Sequence, residues 1–189
     1  MFIFNIIALI IFAALRIYWF TEEHKSETLK PRTTKRTIFT YLGSLPVLFT
    51  ALLMLLQLLG LHIFPYSEDP GFQFIGFSMI IVGCSMMYVA RQELSSNWTH
   101  MYDYQIKQNH TLITTGIYKF VRHPIYSGLL ISFIGCELLV QSWLIILAWF
   151  AFIFIYVSSK REEKLLQFHF GKKYEEYIKS TKMFIPYIF

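Results

Sequence analysis

The stretch 72–90, F-Q-F-I-G-F-S-M-I-I-V-G-C-S-M-M-Y-V-A, contains no charged residue, and its reading decides the fold. Wound as an α-helix at about 1.5 Å per residue, it extends about 28 Å, close to the roughly 30 Å of hydrocarbon in a bilayer. Comparable apolar blocks flank it. Residues 2–20 and 38–64 precede it, and 125–157 follow, broken only by Glu137 and the Gln141-Ser142 pair. The length of that last block suits two short or tilted crossings joined by a tight turn. With 55% apolar, 19% aromatic and 15% charged residues among 189, the chain carries more hydrocarbon than one soluble core of this size can bury. The expected architecture is an all-α integral membrane protein of one domain, residues 1–189. About five transmembrane helices are expected at roughly 2–20, 38–64, 72–90, 125–140 and 143–158, followed by cytoplasmic amphipathic C-terminal helices.

Charge placement orients these crossings, because Lys and Arg accumulate in loops kept on the cytoplasmic side. Lys25, Lys30, Arg32, Lys35 and Arg36 lie between the first two blocks; Arg91, Lys107, Lys119 and Arg122 follow the third. Lys160, Arg161, Lys164, Lys172, Lys173, Lys179 and Lys182 follow the last, whereas 66–71 and Gln141-Ser142 carry no basic residue. Five crossings put every basic segment on one face, with the N-terminus outside and the C-terminus in the cytoplasm; four or six would not. Arg16, near a block end, reads as a snorkelling anchor. The net charge of +5 is explained by loops facing anionic lipid, and no aromatic-basic motif points to nucleic acid. The first block lacks the basic start and small-residue cleavage site of a secretory signal. Cys84 and Cys136 both fall in apolar blocks and read as packing residues, and Glu137, about one turn before Gln141-Ser142, reads as exposed at the outer interface.

Two polar segments carry the chemistry. Residues 91–123 form a connection much longer than a turn between neighbouring helices requires, and it ends in Arg122-His123-Pro124. Pro124 suits the first turn of the fourth crossing and biases His123 toward an extended backbone. The unpaired N–H groups of that helix end, beside Arg122, suit a carboxylate or phosphate. Beyond the last crossing, Glu162-Glu163 is followed by Leu166, Phe170, Tyr174 and Tyr177 at helical spacing, an amphipathic pattern. The six His residues show no paired spacing with Cys or Glu of the kind zinc sites use, so no metal is expected.

The run from His110 to Gly128, H-x-L-[IV]-x-x-G-x-Y-x-x-x-R-H-P-x-Y-x-G, resembles the isoprenylcysteine carboxyl methyltransferase family, and E-E-x-x-L-x-x-x-F-G-x-x-Y-x-x-Y from Glu162 resembles that family's closing motif. Together they cover roughly the last 80 residues. The resemblance implies an integral-membrane enzyme that uses S-adenosylmethionine, with the C-terminal helices covering a cofactor pocket built from segments 110–128 and 160–186. It also implies a side opening for a lipid-like or prenylated acceptor. Relatives of this family also methylate phospholipid amines, and more distant ones are sterol reductases using a nicotinamide cofactor; a non-catalytic membrane adaptor is a further alternative.

Arg122 and Glu162 are the expected catalytic residues. The Arg122 fork suits the acceptor carboxylate or the methionyl carboxylate, and Glu162 suits the ribose hydroxyls or a position near the sulfonium, orienting Arg122. The resemblance implies cofactor contacts from His110, Leu112, Ile113, Gly116, Tyr118, His123, Pro124, Tyr126 and Glu163. Glu163 lies about 100° round the helix from Glu162, so one of the two is expected to face the pocket. The chain departs from its relatives at Lys182, where many have Arg, and at Lys164, where several have a third acid.

Overall fold

A segment surrounded by lipid must satisfy its main chain internally, so the apolar blocks form helices. In a computed structural model, which describes residues 2–27, 49–95 and 111–188 (side chains of 23–27 apart), the order is α1 (Phe2–Glu27), α2 (Phe49–Leu58), α3 (Pro70–Leu94), α4 (Pro124–Leu139), α5 (Leu147–Phe170) and α6 (Lys172–Ser180). Phe2–Glu22, Pro70–Leu94 and Trp143–Phe170, the last including a 3-10 turn ahead of α5, are long and apolar enough to cross a membrane. α4 has 16 residues, about 24 Å, shorter than the hydrocarbon layer. The second block departs from expectation: its described helix ends at Leu58, because Gly60 (φ +105°) and Phe64 (φ +48°) turn the chain aside. Residues 38–48 of that block lie outside the described residues, as does His110.

The outward faces are apolar. Ile10 and Ile17 of α1, Phe74 and Val82 of α3, and Trp149 and Phe150 of α5 are all exposed, a surface that lipid covers and water does not favour. Inside, Ile80, Cys84 and Met87 of α3 meet Cys136 and Leu139 of α4, with Ala8 of α1 and Leu58 of α2 closing the cluster.

The α3–α4 seam is built on glycine. A Cβ on Gly76 would lie 2.5 Å from the Gly135 carbonyl oxygen, and one on Gly83 2.5 Å from that of Gly128. The reciprocal positions on α4 are as tight, with Gly128 facing the Gly83 oxygen at 2.6 Å and Gly135 the Gly76 oxygen at 2.7 Å. Small residues at such a seam let two helices pack main chain to main chain, which in lipid takes the place of hydrophobic driving force. Gly83→Val is therefore expected to destabilise the protein by about 1–3 kcal/mol or more through overpacking. A thermal melt in detergent should show it, and the outward-facing Ser85→Val on the same helix should leave the midpoint in place.

At the end of the bundle remote from Arg122, the 61–69 loop folds over the α4–α5 turn. Tyr66 N–H donates to the Gln141 carbonyl (2.9 Å) and Trp143 N–H to that of Phe64 (2.9 Å). The Ser142 hydroxyl donates to the Ile63 carbonyl (2.8 Å), and the Gln141 side-chain amide to that of Asp69 (2.5 Å). This cover corrects the reading of Glu137 as an exposed interfacial acid: it is 1% exposed and accepts from Gln57 Nε2 at 3.1 Å. Gln57→Leu should cost about 1–3 kcal/mol by stripping a buried acceptor of one of its donors. The double variant Gln57→Leu, Glu137→Leu should recover much of that loss, since removing both polar partners is far less costly than removing one. Equal, additive losses in a double-mutant cycle of melting midpoints would contradict this pairing.

Candidate active site at the meeting of α4, α5 and the C-terminal segment

Three stretches distant in sequence converge at the start of α4. The first enters from Thr111 and turns at Gly116 (φ +55°) into a 3-10 turn over Gly116–Lys119. A side chain at Gly116 would collide with the Glu93 carboxylate, which also accepts from the Thr115 hydroxyl at 3.1 Å. The chain then runs beside the C-terminal segment: Arg122 N–H donates to the Lys182 carbonyl (2.8 Å), His123 N–H to that of Met183 (3.1 Å), and Lys182 N–H to that of Phe120 (3.2 Å). Pro124 starts α4, and His123 before it (φ −125°, ψ 58°) is kept out of the helical region, as a following proline requires, without reaching the extended backbone expected. The Ser127 hydroxyl ties that first turn to the Phe184 carbonyl at 2.8 Å.

Gly171 (φ +55°, ψ −128°) ends α5 and begins α6, a conformation that suits glycine. The change of direction carries Tyr174 and Tyr177 into contact with the other two stretches, where both are buried. Tyr177 donates its hydroxyl to the Tyr118 carbonyl at 2.7 Å. Burial pushes the Tyr174 phenol above its ordinary range, and the Glu163 and Glu162 carboxylates add to the rise. Burial likewise raises Tyr177, against the opposing Arg122 charge, and raises Tyr118, with Glu162 adding. All three therefore stay neutral and keep their protons at physiological pH.

Arg122 and the acid pair meet in the middle. Arg122 Nε donates to Glu163 Oε1 at 2.6 Å with both side chains only 8% exposed. Its Nη1 donates to the Thr181 carbonyl at 2.7 Å and reaches that of Ile178 at 3.4 Å. The guanidinium thus neutralises a buried acid and caps the carbonyl end of α6, where a cation suits the helix dipole. Lys160 Nζ reaches the other oxygen of Glu163 at 3.3 Å. Glu162 accepts from the Tyr126 hydroxyl at 3.0 Å. The buried His123 ring lies between the two acids, Nδ1 at 3.8 Å from Glu162 Oε2 and Nε2 at 3.5 Å from Glu163 Oε1, and stacks on Tyr126 at 15°.

This geometry corrects two sequence expectations. Both acids turn toward His123, where one was expected to face inward, and the partner of Arg122 is Glu163, where Glu162 was expected to orient it. The helix brings both in because His123 sits between their directions and accepts one on each side of its ring. Pro124 and Tyr118 are buried here, Leu112 and Ile113 half-buried at the rim, and Gly116 exposed. Lys182 contributes through its main chain, which its side-chain identity does not alter. Sequence reasoning missed Thr181, whose main contribution is a carbonyl, with its hydroxyl 3.4 Å from Arg122 Nη1, and Glu93, which has no local motif. It also read Arg91 as a loop charge, whereas its side chain is fully buried at the end of α3 and donates to the Ser95 carbonyl at 2.8 Å. Its position within helical reach of the apolar block was the available signal.

A donor fork, an imidazole, a phenol and two carboxylates are thus gathered beside a helix N-terminus, a set able to hold a zwitterionic ligand and to keep an anion paired. A family model described as phospholipid methyltransferase matches residues 72–173. A probable protein-S-isoprenylcysteine O-methyltransferase of Oryza sativa subsp. indica is 32% identical over 146 residues, covering 75% of this chain and 76% of that one. The protein-S-isoprenylcysteine O-methyltransferase of Dictyostelium discoideum is 29% identical over 127 residues, covering 66% of this chain and 54% of that one. A solved structure of the eukaryotic intramembrane Ras methyltransferase, isoprenylcysteine carboxyl methyltransferase, superposes with a TM-score of 0.62 at 20% identity, covering 96% of this chain and 68% of that one.

Proposed function

Because the chain belongs to the isoprenylcysteine carboxyl methyltransferase family, we propose that it transfers a methyl group from S-adenosylmethionine to a lipophilic acceptor, most simply the carboxylate of an isoprenylated cysteine or a similar lipid-like compound. The observation that carries this reading is the cluster of Arg122, His123, Glu162 and Glu163 drawn from segments forty residues apart onto one helix N-terminus. The five crossings, with the N-terminus outside and the site at the cytoplasmic leaflet, belong to the same proposal and are supported by the distribution of Lys and Arg.

The residues present fit that cofactor. Glu162 is 39% exposed, so its carboxylate has an open edge while Tyr126 holds one oxygen in place. That edge suits ribose hydroxyls or an ammonium group. The buried His123 ring lies beside that edge, with Nδ1 3.8 Å from Glu162 Oε2 and Nε2 3.5 Å from Glu163 Oε1. Leu112, Ile113, Gly116 and Tyr118 supply apolar and main-chain surface, and Pro124 and Tyr126 the helix end. When bound, S-adenosylmethionine supplies a methyl group activated by the sulfonium.

An anionic oxygen nucleophile needs no general base; the protein must desolvate it, align it and exclude water. The Arg122–Glu163 pair and the carbonyls of α6 hold the C-terminal segment against α4, which keeps bulk water from the site. Arg122 lends positive potential to the acceptor carboxylate, and Glu162, fixed by Tyr126 and His123, orients the donor's polar groups.

Calorimetry on detergent-purified protein tests the cofactor: binding of S-adenosylmethionine with none of NADPH is expected, and the reverse selectivity would replace this reading with a reductase. Transfer of a radiolabelled methyl group to a farnesylated cysteine bearing a free carboxylate, compared with a phospholipid carrying a primary amine, tests the acceptor. Label on the amine alone would reassign the enzyme to phospholipid methylation.

A further inference from the structure

α5 continues unbroken past its apolar portion, and its lipid-facing stripe continues with it. At 100° per residue, Phe150, Ile153, Val157, Arg161, Lys164 and Phe168 share an arc of about 80°, and all six are exposed. Phe168 is 91% exposed, an aromatic ring standing clear of the protein on a charged stretch of helix. Glu162 and Glu163 fall on the opposite half of the same helix, facing Arg122 and His123.

Length places this extension at the membrane surface. From the exposed Trp143 to Phe168 the helix rises about 37 Å, which exceeds the roughly 30 Å of hydrocarbon yet falls within the 40–45 Å that includes both headgroup layers. With Trp143 in the aromatic belt of one interface, Arg161 and Lys164 reach the edge of the opposite hydrocarbon face and Phe168 its headgroup layer. Helix side chains lean toward the N-terminus, so all three point back at the bilayer. Two cations followed by one aromatic ring on a lipid-facing stripe match an anionic headgroup above acyl chains.

We propose that Arg161, Lys164 and Phe168 form a docking surface for anionic phospholipid in the leaflet on the side of the active-site cluster. Seating this stripe fixes the rotation of α5 about its axis and so presents Glu162 and Glu163 to Arg122 and His123 from the far side of the helix.

The test uses the full-length protein carrying Phe168→Cys with a nitroxide label, in vesicles of phosphatidylcholine alone or with added phosphatidylglycerol; wild type, whose cysteines are buried, supplies the background. Label depth is read from collision with oxygen against a water-soluble nickel chelate. The expected result is a label about 5 Å deeper with phosphatidylglycerol present, a shift lost when Arg161→Glu and Lys164→Glu are added. Equal depth in both vesicles, or water-like exposure throughout, overturns the proposal. Dipolar broadening between labels on two copies would also overturn it, assigning the stripe to self-association.

Discussion

Arg122→Ala is expected to lower methyl transfer on the order of 100-fold and to loosen the C-terminal segment, the largest effect of any single substitution in this protein. The guanidinium neutralises Glu163 at 2.6 Å and caps the Thr181 and Ile178 carbonyls of α6. Removing one member of a buried ion pair costs about 3–5 kcal/mol, because the remaining charge is stranded. If about 3 kcal/mol of that falls on the closed arrangement needed for the reaction, kcat/KM drops on the order of 100-fold. Trypsin should then cut at Lys172, Lys173 and Lys179 faster than in wild type. Arg122→Lys should rescue poorly, since one ammonium cannot serve a carboxylate and two carbonyls in the planar arrangement of a guanidinium. Adding Glu163→Ala to Arg122→Ala should cost much less than the sum of the two single changes, as expected for partners in one network. Wild-type resistance to trypsin and near-normal turnover in Arg122→Ala would remove the clamp from the account.

The parts of this arrangement that could be read in the sequence are those set locally. Pro124 fixes a helix start, and Arg122 and His123 precede it directly, so their place at the mouth of α4 follows from backbone sterics alone. The membrane class follows from the lengths of the apolar blocks. What could not be read depends on how distant pieces pack. The choice of Glu163 over Glu162 as the Arg122 partner is a matter of some 100° of rotation, and it is decided by α6 folding back at Gly171 against 118–123. Lys182 serves through main-chain atoms and Thr181 chiefly through its carbonyl, to which side-chain identity gives no clue. Glu137 was misread because hydropathy reports how apolar a block is and not which loop folds over its end; Gln57, its partner, lies 80 positions away. The glycine seam is a different case. Gly76 and Gly83, like Gly128 and Gly135, stand seven apart on one helical face, and this small-residue spacing is a signal of close helix approach in lipid that a reading by apolar length alone passes over.

Glu162→Gln is expected to weaken S-adenosylmethionine binding by about 10- to 100-fold while leaving the melting midpoint near wild type, the reverse of the pattern for Glu163→Gln. Glu162 is half exposed, and among the described residues its direct hydrogen bond comes from the Tyr126 hydroxyl, which an amide oxygen accepts equally well. Charge is what the substitution removes, and a hydrogen bond to a charged group contributes about 1.5–3 kcal/mol, consistent with that range of affinity. Glu163, by contrast, is buried against Arg122 and Lys160, so its amide strands a guanidinium and lowers stability first. Tyr126→Phe keeps the ring stacked on His123 but releases Glu162 Oε2, so KM for the cofactor should rise with a smaller change in kcat. The product S-adenosylhomocysteine, which lacks the sulfonium charge, separates two roles for the acid. Equal loss of affinity for donor and product in Glu162→Gln assigns the carboxylate to the ribose or ammonium groups they share; loss confined to the donor assigns it to the sulfonium. Full affinity for both would show that Glu162 does not touch the cofactor, and the motif that drew attention to it would then serve only to hold Tyr126.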